Sequence, residues 1–336
     1  MRASRLFLVL AGLALCVAGC PGRAGAPAAA APKIGLVFDI GGKGDKSFND
    51  AAWRGVERAR TELGLESETF EPTEGSDRES ALRMLAARGV PLLFAIGFMF
   101  TDDVDRLAKE FPETRIACVD YALRPEAKLP PNLLALKFRE EEGSYLVGAL
   151  AALVSKTGSI GFVGGMESPL IKKFEAGYRA GALAVRRDAN VLVAYAGSTG
   201  EAFRDPARGK LLALSQIAAG ADVIYHASGS TGLGVFEAAR EKGIFAIGVD
   251  SDQNDEAPGR VLTSMVKRVD VAVFETARAW KAGSMAGGVR ELGLKDGAID
   301  YVYDDRNRSL IADDIRAKVE ALRAKIIAGE IKVPDR

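Results

Sequence analysis

Three aspartates stand one residue beyond apolar, strand-like runs: Asp39 after KIGLVF, Asp120 after RIACV and Asp250 after FAIGV. Lys267 closes a further run, VLTSMVK, and two phenylalanines lie in polar, glycine-containing turns, Phe48 in GGKGDKSFND and Phe203 in GSTGEAFRD. Carboxylates accept hydrogen bonds and an ammonium donates them. Such a set suits a neutral ligand rich in hydroxyl and N–H groups. A phosphate would meet net negative charge where it needs donors. The phenylalanines add flat apolar faces, and a base stacked on one is worth about 1–3 kcal/mol. Sugars and purine-like rings are the ligand classes that fit this chemistry.

Other polar groups have plainer readings. Ser47 and Asp50 fit a helix cap and a first-turn acid, Asp45 a turn residue, and Asp252 a loop carboxylate. Catalytic arrangements are poorly supported: His226 is the only histidine, and no GxSxG elbow follows a strand. One histidine and few cysteines make no ordinary zinc site, and SGSTGLG lacks the G-x-G-x-x-G spacing of a dinucleotide fingerprint. No catalytic residue, metal or cofactor is expected. The enzyme alternative is a nucleoside hydrolase with strand-end aspartates around a divalent cation, but its aspartates should cluster after the first strand, whereas Asp39, Asp45 and Asp50 are spread over a turn and a helix.

The elements that must position these residues alternate. Strands are predicted at 33–38, 91–95, 115–119, 133–136, 159–163, 191–194, 222–225 and 245–249, and helices at 50–63, 76–88, 102–111, 140–155, 169–186, 206–219 and 232–242. The pattern is α/β with doubly wound parallel sheets, whose ligands bind beyond the carboxyl ends of the strands. The cadence repeats: GGMESPLIKKFEAGYRAG follows the strand at 159 much as GGKGDKSFNDAAWRG follows the one at 33. Two similar lobes are therefore expected.

Ahead of this lies a basic start with Arg2 and Arg5, an apolar stretch over 6–17 too short to span a bilayer, and VAGC ending at Cys20. Residues 1–19 read as a signal peptide of the lipoprotein type, with Cys20 as the lipidated residue, and 20–32 as a flexible Ala/Pro/Gly tether. This predicts a domain held by lipid on the outer side of a cell membrane. Cys118 alone would remain in the folded part, so a core rather than disulfides must stabilise it. The 45 basic and 45 acidic residues are balanced and scattered, which excludes the electrostatic footprint of a nucleic-acid partner.

The segments FDIGGKGDKSFNDAAWRG, IACVDY, FREEEGSYLVGALAA, IGFVGGMESPLIKKFEAGYRAG, FRDPARGK, SGSTGLG, AIGVDSDQ and SMVKRVD occur in this order. Together they resemble the basic membrane protein family of bacterial substrate-binding lipoproteins, which includes purine nucleoside receptors, over nearly the whole mature chain. The resemblance implies a type I periplasmic-binding-protein fold, two lobes with a hinge, delivering guanosine, inosine or adenosine to the permease subunits of an ABC importer. It implies that Phe48 and Phe203 sandwich the base, Asp120 reads its polar edge, and Asp250 and Lys267 hold the ribose. It implies as well that Asp39 and Asn49 contact the ligand from the first lobe and that Gly229 offers backbone near the sugar. His226-Ala227 departs from relatives, which are richer in small residues there. The expected lobes are 33–138 with 254–298, and 139–253 with 299–336. A sugar ligand, or a sensor that shows its liganded form to a membrane partner, would use the same pocket.

Overall fold

The computed structural model describes residues 32–73, 77–126 and 128–336. The signal, Cys20 and most of the tether lie outside these. Residues 32–336 form one compact unit. Its strands are β1 (Lys33–Val37), β2 (Glu66–Phe70), β3 (Leu92–Ile96), β4 (Arg115–Val119), β5 (Leu133–Phe138), β6 (Ser159–Met166), β7 (Asn190–Gly197), β8 (Val223–Ala227), β9 (Phe245–Asp250), β10 (Val261–Lys267), β11 (Gly288–Leu292) and β12 (Ile299–Tyr301). Its helices are α1 (Phe48–Leu63), α2 (Asp77–Ala87), α3 (Thr101–Glu110), α4 (Glu140–Val154), α5 (Pro169–Val185), α6 (Pro206–Ala218), α7 (Gly232–Lys242), α8 (Val269–Lys281) and α9 (Asp313–Ile327).

The strands form two six-stranded sheets, ordered β11-β5-β4-β3-β1-β2 and β12-β10-β9-β8-β6-β7. Apart from the antiparallel pair β10–β12, the pairings are parallel. Parallel strands covered on both faces must be apolar throughout, and the LLFAI of β3 and VIYHA of β8 are buried at every position. The first sheet has α2 and α3 on one face and α1 and α8 on the other; the second has α6 and α7 on one and α4, α5 and α9 on the other.

Local chemistry starts and stops the helices. Asp205 caps α6, accepting from the Arg208 N–H at 2.9 Å, and Pro206 follows at the first helical position. Helices α4 and α5 approach closely because Gly181 faces the Tyr145 carbonyl, where a Cβ would stand 1.9 Å from the oxygen.

The repeat expected from the sequence is present as topology. In each sheet the first strand lies between the second and third, so β1/β3 and β6/β8 are switch points with diverging crossovers. The eight strands expected from the sequence form, with shifted ends. The edge strands β2, β11 and β12 were not expected, because their exposed faces are polar and leave no apolar run. Helices α8 and α9 were not expected either.

One boundary needs correction. The segment 254–298 was expected in the first lobe, but β10 pairs with β9 and β12 in the second sheet. The chain leaves that sheet only after Lys267, and α8 then packs on α1. It crosses between sheets three times, from β5 to α4, from β10 to α8 and from β11 to β12.

Candidate functional site

A cavity with a void of about 510 Å³, counting space open to solvent, lies between the carboxyl ends of the two sheets. All eight residues singled out as ligand-binding line it: Asp39, Phe48, Asn49, Asp120, Phe203, Gly229, Asp250 and Lys267. Each follows from the topology. Asp39 lies beyond β1 and Asp120 just after β4; Asp250 ends β9 and Lys267 ends β10. Phe48 and Asn49 open α1, and Phe203 ends a short 3-10 turn after β7.

The aspartates just after β4 and at the end of β9 have left-handed backbones, with φ of 61° at Asp120 and 63° at Asp250. Aspartate tolerates this conformation better than most residues, and it turns both carboxylates back toward the cleft. Burial raises the Asp39 carboxyl to about 7, against the stabilising Ile40 N–H at 2.8 Å. Burial also raises Asp250 to about 7, although Lys267 and the Ser47 hydroxyl, donating at 2.7 Å, favour its anion. Asp120 is raised to about 6, first by burial and further by Glu140, while Lys267 holds it down. Its Oδ1 accepts no hydrogen bond among the described residues.

The Lys267 amine is the cation of the site. It lies 2.6 Å from Asp120 and 3.0 Å from Glu140, with 1% of its side chain exposed. Burial opposes its charge, but Asp120, Glu140 and Asp250 together hold it above the ordinary lysine range. The Phe48, Phe138 and Phe174 ring centres stand 5.1, 5.0 and 5.7 Å away. These distances allow cation–π attraction.

Asn49 is tied into the wall. Its Oδ1 accepts from the Asp39 N–H at 2.9 Å, and its Nδ2 donates to Asp45 at 3.1 Å, leaving a second amide hydrogen. Asp45 lines the cavity but acts mainly as a cap, taking the N–H groups of Ser47, Asn49 and Asp50 at 2.9, 2.8 and 3.1 Å. Asp50 accepts from the turn at Gly44 and Lys46, as a local loop-closing residue. Asp252 pairs with Arg306. His226 is fully buried outside the lining, between Gln253 at 3.0 Å and Ser228 at 3.3 Å, and burial lowers it to about 4.

The structure adds apolar walls that the sequence reading did not assign: Phe98 after β3, and Leu170, Ile171 and Phe174 on the first turns of α5. Phe98 meets Phe203 edge to face, with centroids 6.5 Å apart. The internal repeat was the signal for Phe174, since the start of α5 follows β6 as the start of α1 follows β1. Gly165 has no room for a side chain, because a Cβ there would stand 2.3 Å from the Phe203 ring.

The lobes touch across the cleft. Ser47 Oγ donates to Asp250, the Ser251 hydroxyl donates to the Ser47 carbonyl at 2.9 Å, and Arg54 donates to Ser251 at 2.8 Å. A wider opening, lined in part by Tyr121, Arg124, Lys137 and Lys172, shares Phe98, Asp120 and Leu170 with the cavity.

Two doubly wound lobes meeting over such a cleft define a solute-binding protein of the type I periplasmic-binding-protein fold. A crystal structure of ABC transporter system solute-binding proteins from Aeropyrum pernix K1 superposes with a TM-score of 0.83 at 30% identity, covering 90% of this chain and 94% of that one. Residues 32–336 match the family model Bmp, described as ABC transporter substrate-binding protein PnrA-like. The chain belongs to this family of ABC transporter substrate-binding proteins. It is 36% identical over 319 residues to basic membrane protein A of Borreliella afzelii, covering 94% of this chain and 95% of that protein. To the ABC transporter nucleoside-binding protein BmpA of Lactococcus lactis it is 33% identical over 326 residues, covering 90% and 89%.

Proposed function

We propose that this protein captures a purine nucleoside between its lobes and delivers it, unaltered, to the permease subunits of an ABC importer. The observation that carries the reading is the cavity wall itself: strand-end carboxylates, one compensated lysine and phenylalanines from both lobes around a single space. The carboxylates accept from ribose hydroxyls and from N–H donors on the base edge, while Lys267 donates to hydroxyl oxygens. Phe48 and Phe203 cover the base. The nucleoside-binding name of the Lactococcus lactis relative supports the same ligand class. Asp45, the carboxylate nearest to Asp39 in sequence, is committed to backbone N–H groups, which disfavours the hydrolase alternative.

We further propose that Cys20 carries lipid and that the following tether leashes the domain to the outer side of the membrane. Among the described residues no helix is long and apolar enough to cross a bilayer, so an anchor of this kind would be what holds the domain there.

The test is to unfold and refold the protein to strip bound molecules, then incubate it separately with guanosine, inosine, adenosine and ribose. Native mass spectrometry and an assay for free base follow. One nucleoside bound per chain with no base released is expected. Released base would make the protein a hydrolase, and retention of ribose alone would move the ligand class to sugars.

A further inference from the structure

The FREEEG segment at the start of α4 packs three glutamates against the places where the chain crosses between lobes. Glu142 accepts from the Leu294 N–H at 2.8 Å, on the β11-to-β12 crossing. Glu140 is fully buried and reaches two lysines, Lys267 at 3.0 Å and Lys173 at 2.7 Å. Lys173 also meets Glu141 at 3.1 Å and donates to the Phe138 carbonyl at 2.6 Å. The result is an alternating chain, Asp120, Lys267, Glu140, Lys173, Glu141, that starts in the cavity and runs back into the second lobe. Asp120 is its single member from the first sheet.

We infer that Glu140 is a positioning residue of the binding cleft: it divides its carboxylate between Lys267 and Lys173, holds the Lys267 amine at the cavity wall, and leaves Asp120 an oxygen for the ligand. Lys267 already lies closer to Asp120, at 2.6 Å, than to Glu140, at 3.0 Å, so without the Glu140 anion its pairing with Asp120 is no longer shared and strengthens at the expense of the ligand. Glu140 itself is not in the cavity lining, so it acts through Lys267. The inference rests on the nucleoside reading for its effect on affinity, but its electrostatic part is measurable in the ligand-free protein.

The groups facing Asp120 are Lys267 from β10, Glu140 from α4, Lys173 from α5, Asp39 beyond β1, Asp250 from β9, and Cys118 on its own strand. Glu140 pushes the Asp120 carboxyl up and Lys173 holds it down. Replacing each must therefore move the Asp120 midpoint in opposite directions. General damage to the fold gives no reason for such a pair of signs.

The experiment follows the aspartate carboxyl ¹³C resonances with pH in the wild type, Glu140→Gln and Lys173→Met, assigning Asp120 by the resonance lost in Asp120→Asn. The expected result is a wild-type midpoint near 6, lower in Glu140→Gln and higher in Lys173→Met. Titration with inosine should show affinity falling about tenfold or more in Glu140→Gln, the worth of one charge-assisted hydrogen bond, with its acid limb moved to lower pH. An unmoved midpoint, or shifts of the same sign, would overturn the inference. Should Glu140→Gln not fold, Glu140→Asp decides, since it keeps the charge but shortens its reach to Lys267 and Lys173: inosine affinity equal to that of the wild type would overturn the inference. Should the wild type ignore inosine, the nucleoside reading falls, while the carboxyl titration still judges Glu140.

Discussion

Replacing Lys267 by methionine removes the amine but keeps most of the side-chain volume, in a site where three phenylalanine rings stand 5.0 to 5.7 Å from that amine. The loss is therefore electrostatic before it is steric. Asp120 and Glu140 are left buried, with Lys173 the remaining lysine beside Glu140. Breaking a buried pair in this way costs about 3–5 kcal/mol at a pH where the stranded carboxylates are charged. With Asp250, Asp120 carries the pH dependence. Its folded midpoint, already raised to about 6 with Lys267 present, must rise further without it. A carboxyl raised on folding contributes its stability in full below its unfolded pKa and loses it as pH climbs through the folded one. The wild type passes that point near 6 and the variant later, so the variant's unfolding deficit grows with pH above 6. For the Asp120 proton each unit adds about 1.4 kcal/mol up to the variant's own midpoint, and Asp250, whose anion Lys267 also favours, adds to the deficit above pH 7. Urea unfolding at pH 5, 6, 7 and 8, followed by circular dichroism and by Trp53 and Trp280 fluorescence, measures this. A deficit constant across pH would mean that Lys267 matters only for packing. No deficit at pH 8 would show that its amine compensates no buried charge.

Asp120→Asn should weaken guanosine and inosine, whose bases carry an N1–H donor that adenine lacks, more than adenosine, by about 1–3 kcal/mol for guanosine, whose N1–H and N2–H₂ make the contact bidentate; calorimetry showing equal losses for all three contradicts the assignment. Phe203→Ala should cost every purine nucleoside about 1–3 kcal/mol while circular dichroism stays unchanged. Gly165→Ala, which puts a methyl group where the Phe203 ring lies, should lower affinity in the same even manner, and unaltered binding would remove the ring from the site. Affinity should begin to fall as pH drops through about 7, where Asp39 and Asp250 take up protons and lose acceptor capacity, and fall further near 6 as Asp120 follows. Binding that is flat from pH 5 to 8 would mean that neither carboxylate accepts from the ligand.

The sequence showed best what depends on local chemistry. Buried parallel strands must be apolar along their length, so runs such as LLFAI and RIACV stood out, and the first polar residue beyond each marked a strand end facing the cleft. Asp39, Asp120 and Asp250 were legible for that reason, and the structure brings them onto one cavity with Lys267. Pairing between distant segments was not legible. Nothing in VLTSMVK says which sheet it joins, because its partners β9 and β12 are fixed by packing of the whole chain, and the division at 254 therefore misplaced it. Glu140 was hidden for a related reason. Three glutamates opening a helix read as favourable first-turn charges, and only the approach of Lys267 and Lys173 from other elements gives one of them a different task.

The most direct test of the central claim is calorimetric titration of the stripped Pro32–Arg336 unit with guanosine, inosine, adenosine, uridine and ribose in parallel. The account predicts one-to-one binding of purine nucleosides, far tighter than uridine or ribose. Equal affinity for ribose and the purine nucleosides, or binding of none of the five, would contradict it.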